Sequence, residues 1–276
     1  ARLHFTHQNF SNPLAPPMFC MLLRKQLMSG RILAVRQIAG DRVIHIDIDT
    51  VDEMGDHVLR RLILEIMGRH SNLILTDGEG KILDAARHVS LDMSRVRQVQ
   101  PGLPYLPPPG QDKLDPVDVT AETLLTYLEK AGDVPFHKAI AASVSGMSMP
   151  TAKELAFRVL DRGEERPSDL PATAAKLADL LRRLPEMADP RVLLDDDGSP
   201  ADIFAFPYLM HPLEYQESAP TVSAALERYF STRDRQDRLN QKSAAMVKVL
   251  KNHIERCEKK LAQQEEDLSN TARLEE

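Results

Sequence analysis

Apolar residues alternate with polar ones along two neighbouring stretches of this chain, and that period of two constrains the fold more than any other feature. From 42 to 48, Ile44, Ile46 and Ile48 share one face while Asp47 stands on the other; from 58 to 67, Leu62, Leu64 and Ile66 face one way and Arg61, Ile63 and Glu65 the other. Such runs are half-buried strands. Further strands are expected at 31–38, 71–76 and 81–87, with Thr76-Asp77-Gly78-Glu79-Gly80 as the hairpin turn between the last two. Residues 2–6 read as a short strand, ahead of a helix over 16–29 begun by prolines and stopped by Gly30. Residues 101–116 hold six prolines and two glycines, cannot continue a sheet, and mark a boundary.

Closing the two alternating strands near-symmetrically around Val51–Gly55 sets Arg42, nine residues before that loop, opposite Glu65, ten residues after it. Cross-strand neighbours are about 5 Å apart at Cβ, so Asp41, Arg42 and Glu65 are expected to form one charged cluster. A register slipped by one residue turns Glu65 to the other face. Taken alone, the cluster reads as a surface ion pair worth roughly 0 to 1 kcal/mol.

From Val117 the spacing becomes helical. One segment carries Leu124, Leu125, Tyr127 and Leu128; two more run over 136–144 and 151–160 and flank Ser145-Gly146-Met147-Ser148; a fourth spans 169–184. Thr151-Ala152-Lys153-Glu154 has the capping-box pattern that starts a helix. Helix, glycine turn and helix read as a helix-hairpin-helix, whose unsatisfied first amides can meet a phosphate, and equally as an ordinary helical hairpin. Short strands return over 191–214 around Asp195-Asp196-Asp197-Gly198, a turn that lacks the alternating acids and terminal Glu of a calcium loop. After Pro220, Val247, Leu250, Ile254, Cys257, Leu261, Gln264, Leu268 and Thr271 step by three and four, the seam of a long coiled coil of which this is the first arm.

The chain is therefore α+β. A mostly antiparallel sheet domain is expected over 1–115, a helical domain over 116–186, short strands over 187–219 that either rejoin the first sheet or stand apart, and the start of a coiled coil over 220–276. Residues 233–260 hold nine Lys or Arg against four acids, and 261–276 one Arg against five. The proximal arm suits an RNA backbone, although a solvated coiled-coil flank accounts for the same charges.

Composition narrows the function classes. A formal net charge of −6 and a pI near 5.9 argue against a uniformly basic nucleic-acid coat while leaving room for local basic surfaces. Thirteen Phe and Tyr and no Trp make a poor stacking platform for single-stranded bases. Cys20 and Cys257 offer neither a disulfide framework nor zinc spacing, which fits a reducing, cytoplasmic setting. No apolar run reaches the ~18 residues that span a bilayer, and no signal peptide heads the chain. A phosphate loop is absent, His45, His57, His70 and His88 have no close ligand spacing, and no cofactor or metal is expected. Glu65 and His70 are the one acid–base pairing that suggests itself, and separation in sequence does not make them converge.

Several uncommon strings occur in a telling order: Pro16-Pro17-Met18-Phe19-Cys20-Met21-Leu22-Leu23-Arg24-Lys25, Gly40-Asp41-Arg42, Glu65-Ile66-Met67-Gly68-Arg69-His70-Ser71-Asn72, and Arg97-Gln98-Val99 leading to Pro101-Gly102-Leu103-Pro104-Tyr105. Together they resemble the NFACT family, over almost the whole chain. The resemblance implies a factor that recognises a large ribosomal subunit obstructed by peptidyl-tRNA and recruits tRNA to extend the stalled chain without mRNA, with alanyl-tRNA in bacteria. The family's Asp-Arg motif, used in tRNA engagement and tailing, maps onto Asp41 and Arg42, and its Glu-Ile-Met motif, also implicated in tRNA engagement, onto Glu65, Ile66 and Met67. Arg69, His70, Arg95 and Arg97 are further possible RNA contacts, with Arg95 and Arg97 equally readable as plain surface residues. The implied fold is similar to formamidopyrimidine-type DNA glycosylases, which makes the first domain glycosylase N-domain-like. Two departures point to a fragment: Ala1 is no initiator and the family's first strands are missing, and the chain stops inside a helix, before the second coiled-coil arm and the C-terminal basic domain.

On this reading the chain is a non-enzymatic factor. Its partners are the large ribosomal subunit, tRNA and the peptidyl-tRNA-linked nascent chain, with no small-molecule substrate and no membrane. Arg42 would contact phosphate or a base edge, Asp41 and Glu65 would orient it or accept hydrogen bonds from nucleotide groups, and Ile66 and Met67 would form apolar support beneath. Two rivals come from other classes. A formamidopyrimidine-type DNA glycosylase needs an N-terminal nucleophile, and the long coiled coil speaks against it. A fibronectin-binding surface adhesin has neither an export signal nor an anchor in its favour.

Overall fold

The period-two stretches form strands. The computed structural model describes residues 1–10, 12–38, 40–110, 112–160 and 165–274, leaving aside the side chains at 242, 245 and 268–274. Five strands, β1 (Arg31–Gln37), β2 (Val43–Val51), β3 (His57–Glu65), β4 (Asn72–Asp77) and β5 (Ile82–Ala85), pair antiparallel in chain order, after a helix α1 (Met18–Leu27). Residues 2–6, expected as a strand, take no regular structure. Strand β1 is one edge of the sheet, with Ile32, Leu33 and Val35 exposed.

The register of β2 on β3 differs from symmetric closure by one residue. Val43, not Arg42, pairs with Glu65, and Val51 pairs with His57. Asp52 is the cause: its Oδ1 accepts from the amides of Met54 at 2.9 Å and Asp56 at 3.0 Å, while its own N–H donates to the Asp56 carbonyl at 3.0 Å. This side-chain-capped turn centres the loop on Met54, half a position beyond the midpoint of an Arg42–Glu65 pair, which moves every pairing by one residue. The slip exchanges the faces. Glu65 now shares a side with Val43, Ile63 and Ile74, which form the sheet core with Ile82, Ala85 and Val99 and have Ile38, Met67, Val89 and Tyr105 packed against them. The apolar stripe of Ile44, Ile46, Leu62 and Leu64 is only half-buried.

Helices α2 (Ala121–Ala131), α3 (Phe136–Ser143), α4 (Met149–Val159) and α5 (Leu170–Arg183) follow. They bury Leu124, Leu128, Phe136, Ile140, Leu155, Leu177 and Leu181 against one another. Helix α4 starts ahead of the predicted capping box: Ser148 Oγ accepts from the Thr151 amide at 3.2 Å, and Pro150 sits in the first turn. Glu154 is thereby free of capping and is fully buried. Its carboxylate accepts from Arg158 Nε at 2.6 Å and from the amides of Leu209 at 2.8 Å and Met210 at 3.1 Å.

Sheet and helices, expected as separate domains over 1–115 and 116–186, belong to one compact unit of residues 1–188 and 208–213. Leu114 holds them together: its N–H donates to the Ser143 carbonyl at 2.8 Å and its carbonyl accepts from the Ser145 amide at 2.8 Å. The β1–β2 turn and the α3–α4 turn also touch. A Cβ on Gly146 would lie 2.8 Å from the Gly40 carbonyl oxygen, and both glycines have positive φ, +68° and +66°.

Residues 189–207 and 214–276 form the second unit. Strands β6 (Arg191–Leu194), β7 (Pro200–Phe204) and β8 (Gln216–Ser218) make a sheet of their own in the order β7-β6-β8, so they do not extend the first one. Asp195–Gly198 is a hairpin turn, with the Gly198 amide donating to the Asp195 carbonyl at 2.8 Å. Helix α6 (Val222–Leu274) packs on β6 and β7, and from residue 235 onward its described side chains are exposed, Val247, Leu250, Ile254 and Leu261 among them. The predicted seam positions Leu268 and Thr271 lie outside the described side chains.

Backbone contact at Gly146 predicts a graded pair of variants. Gly102, with φ +86°, has nothing within 4 Å of the point where an added Cβ would sit, so Gly102→Ala is expected to cost only the left-handed strain of about 1 kcal/mol. Gly146→Ala adds a clash with main chain and is expected to cost about 1–2 kcal/mol more. Urea unfolding of both variants measures the difference.

Candidate functional site

The turn between β1 and β2 carries Asp41 and Arg42 with their main chain tied down. The Asp41 amide donates to the Ile38 carbonyl at 2.8 Å, and Gln37 Nε2 donates to the Asp41 carbonyl at 2.8 Å. Asp41 Oδ1 accepts from the Arg42 amide at 2.7 Å, and the Arg42 carbonyl accepts from the Ile66 amide at 2.8 Å. Arg42 is exposed, and among the described residues its guanidinium makes no ion pair. Asp41 and Arg42 are therefore joined to the Glu65-Ile66-Met67 run through backbone, not through the charged cluster expected from sequence.

Glu65 itself points into the core, 3% exposed. Its Oε1 accepts from Arg97 Nη2 at 2.5 Å and from the Tyr105 hydroxyl at 2.9 Å, and its Oε2 accepts from Arg97 Nη1 at 3.0 Å. A buried carboxylate is tolerable only when its lone pairs are met by charged or polar donors, and here a two-pronged guanidinium and a phenol meet them. The Arg97 carbon Cζ lies 5.2 Å from the Tyr105 ring centroid, and its Nε is buried without a hydrogen-bond partner. Burial, followed by the Glu65 charge, pushes the Tyr105 hydroxyl well above its ordinary pKa, so it remains a donor at any physiological pH. Arg97, expected at the surface, has a side chain only 13% exposed and committed to Glu65.

Further along the same face stands a second charged group. Asp47, 5% exposed, accepts from Arg61 Nε at 2.6 Å and is also bonded by Arg36. The hydrogen bond from Arg61 leads in holding the Asp47 carboxyl below the usual carboxylate range, against the opposing effect of burial. His45 lies between the two groups, with its ring edge-on to Tyr105 at 6.0 Å. Burial first, and the Arg61 charge second, hold His45 below its ordinary pKa of 6.5. Ile66 and Met67 are half-buried, and Met67 rests on the sheet core.

Arg69 and His70 occupy an exposed turn, where Arg69 Nε donates to His70 Nε2 at 3.0 Å and Arg87 bonds the Arg69 carbonyl. Arg95 is exposed and away from these contacts. Among the described residues no three His, Cys, Asp or Glu side chains are grouped to hold a metal ion, and no helix is long and apolar enough to cross a membrane. Tyr105, His45, Asp47, Arg36 and Arg61 are members of the site that sequence reasoning missed. The available signal was parity: Asp47, Arg61 and Glu65 share odd positions with Val43 and Ile63, and so had to enter the same core once that face was buried.

The chain has relatives among known proteins. Residues 1–276 match the family model described as NFACT N-terminal and middle domains. The chain is 32% identical over 272 residues to a protein of Streptococcus suis named "Rqc2 homolog RqcH", covering 98% of this chain and 45% of that one. A shorter match, 34% identical over 86 residues, covers 31% of this chain and 7% of the human "Ribosome quality control complex subunit NEMF". Among solved structures, the N-terminal part of the fibronectin/fibrinogen-binding protein of Streptococcus suis superposes with a TM-score of 0.65 at 31% identity, over 84% of this chain and 79% of that one. The chain spans about half the length of its Streptococcus suis relative.

Acid titration of the sheet face follows from the two shifts. Both groups have folded pKa values below their unfolded ones, so their contributions to stability are complete above the unfolded values and are lost as pH falls through the folded ones. The His45 contribution is the first to be lost, below pH 6.5, and that of Asp47 is lost only below its ordinary 3.8. Urea midpoints measured from about pH 8 down to about pH 5 are expected to fall less in His45→Asn than in the parent chain. Asp47→Ala, which strands two arginines, is expected to cost about 1–3 kcal/mol at neutral pH.

Proposed function

The chain belongs to the NFACT family, whose named members act in ribosome quality control, and we propose that it is the portion of such a factor that engages tRNA at an obstructed large ribosomal subunit. The observation that carries this reading is Arg42: an exposed guanidinium without an ion partner among the described residues, on a main chain fixed at both its N–H and its C=O. An unpaired planar cation on a fixed main chain is suited to phosphate or a base edge, because its fork of donors meets such acceptors without first giving up an internal partner. Asp41 orients it through the Arg42 amide, and Ile66 and Met67 support the turn from below. Arg69, His70 and Arg95 add exposed donors in the loops that follow β3 and β5.

Two other parts of the chain favour a ribosomal setting. The α3–α4 turn abuts Gly40, so a helix-hairpin-helix phosphate contact and the Asp41–Arg42 turn would present to the same nucleic acid. The proximal part of α6 carries nine basic residues against four acidic ones, next to the apolar seam of a first coiled-coil arm. The factor acts by binding, without catalysis of its own, and adds residues to the stalled nascent chain through the tRNA it brings, alanyl-tRNA in bacteria.

In cells expressing the complete protein, RNA recovered with the wild-type factor is expected to be enriched in tRNA and large-subunit rRNA. Asp41→Ala/Arg42→Ala should lower tRNA recovery roughly tenfold or more, the worth of a charge-assisted contact of about 1.5–3 kcal/mol, with rRNA recovery unchanged. Absence of tRNA from the wild-type sample, or its persistence in the double variant, sinks the reading. Binding to fibronectin with no ribosomal RNA would favour instead the activity named for the Streptococcus suis structure.

A further inference from the structure

Between Glu65 and Arg42 there is a single peptide link. Strand β3 ends at Glu65, and the next residue, Ile66, gives its amide to the Arg42 carbonyl at 2.8 Å. Whatever fixes the Glu65 side chain therefore fixes the donor that holds the Arg42 main chain. Two side chains do so: Arg97, from the loop after β5, and Tyr105, from the proline-rich segment. The Tyr105 backbone is secured in turn, its amide donating to the Gly80 carbonyl at 2.8 Å beside a bridge between Lys81 and Pro104.

We propose that Tyr105 and Arg97 are positioning residues for RNA engagement: by clamping the buried Glu65 carboxylate they place the Ile66 amide under the Arg42 carbonyl and so hold the main chain from which the Arg42 side chain projects. The proposal rests on the reading of Arg42 as an RNA contact and assigns the neighbouring Glu65 an indirect part in it. Three features support it. Glu65 is 3% exposed and its two oxygens already accept three hydrogen bonds, so it has little to offer a nucleotide. Arg42 has no side-chain partner of its own among the described residues, so its peptide alone sets the point and the Cα–Cβ direction from which the side chain projects. That peptide is bonded on one side by Asp41, whose own amide reaches Ile38 at the core's margin, and on the other by Ile66, which follows directly on the buried Glu65. A fixed main chain matters energetically, because a turn that has to be ordered on binding costs conformational entropy that a turn already held does not.

A thermodynamic cycle in the complete protein tests this. Tyr105→Phe removes one hydroxyl and keeps the packing, which makes it safer than Arg97→Ala, a change that strands a buried carboxylate. Three quantities are read: the dissociation constant for bulk tRNA, hydrogen exchange at the Ile66 amide, and the melting temperature. Tyr105→Phe is expected to weaken tRNA binding about three- to tenfold when Arg42 is present and less than about twofold in an Arg42→Ala background, with faster Ile66 exchange in both. Arg97→Lys, which keeps charge but loses the two-pronged contact, should reproduce the same coupled loss. Equal losses with and without Arg42, or unchanged Ile66 exchange, overturn the proposal while leaving Arg42 as a contact. Wild-type tRNA affinity in Arg42→Ala removes the contact itself and with it the proposal; faster Ile66 exchange in Tyr105→Phe would then place the failure in the reading of Arg42 and not in the clamp.

Discussion

A carboxylate buried in the sheet core organises the first unit. Removing Glu65 from water is costly, and the cost is met only where Arg97 and Tyr105 converge on it from segments 32 and 40 residues away. That requirement brings the loop after β5 and the proline-rich segment onto the sheet, where Val89, Val99 and Tyr105 close over Val43, Ile63 and Ile74. The same requirement fixes the last residue of β3, and through Ile66 the turn that carries Arg42. The cover of the core and the seat of the candidate site thus share one polar contact.

The strands were legible because alternation reports local geometry, and the observed bounds of β2 to β5 lie close to those read from the period. What was hidden was set by side chains acting at a distance or on turns. Asp52 recentred one loop by capturing two amides, a choice that symmetric closure has no means of expressing. The single-residue slip that followed sent Glu65 inward and left Ile44 and Ile46 half-covered, reversing the intuition that the apolar stripe is the buried one. Ser148 similarly took over the start of α4 and released Glu154 for burial.

The site was half legible. Asp41 and Arg42 announced themselves as polar residues at a strand entrance, and the run Glu65-Ile66-Met67 as an acid among apolar neighbours. Their linkage through main chain was not visible, since a backbone hydrogen bond leaves no mark on residue identity. Tyr105 was masked by its surroundings: among prolines it read as boundary, yet it contacts Glu65 and stacks edge-on to His45. Arg36 and Arg61 were hidden in the same way, as strand arginines that look like surface charge until Asp47 is found between them.

Glu154 carries a consequence for the order in which the unit can be completed. Its carboxylate, wholly enclosed, draws two of its three donors from Leu209 and Met210, which lie beyond an intervening hairpin in the chain. A nascent or cleaved polypeptide ending near residue 188 would contain every helix of this unit and still leave α4 with a half-satisfied charge in its interior. Completion therefore waits on residues 208–213, so the helices cannot reach their final stability in simple sequence order, and the hairpin that precedes those residues must be synthesised before the first unit is whole.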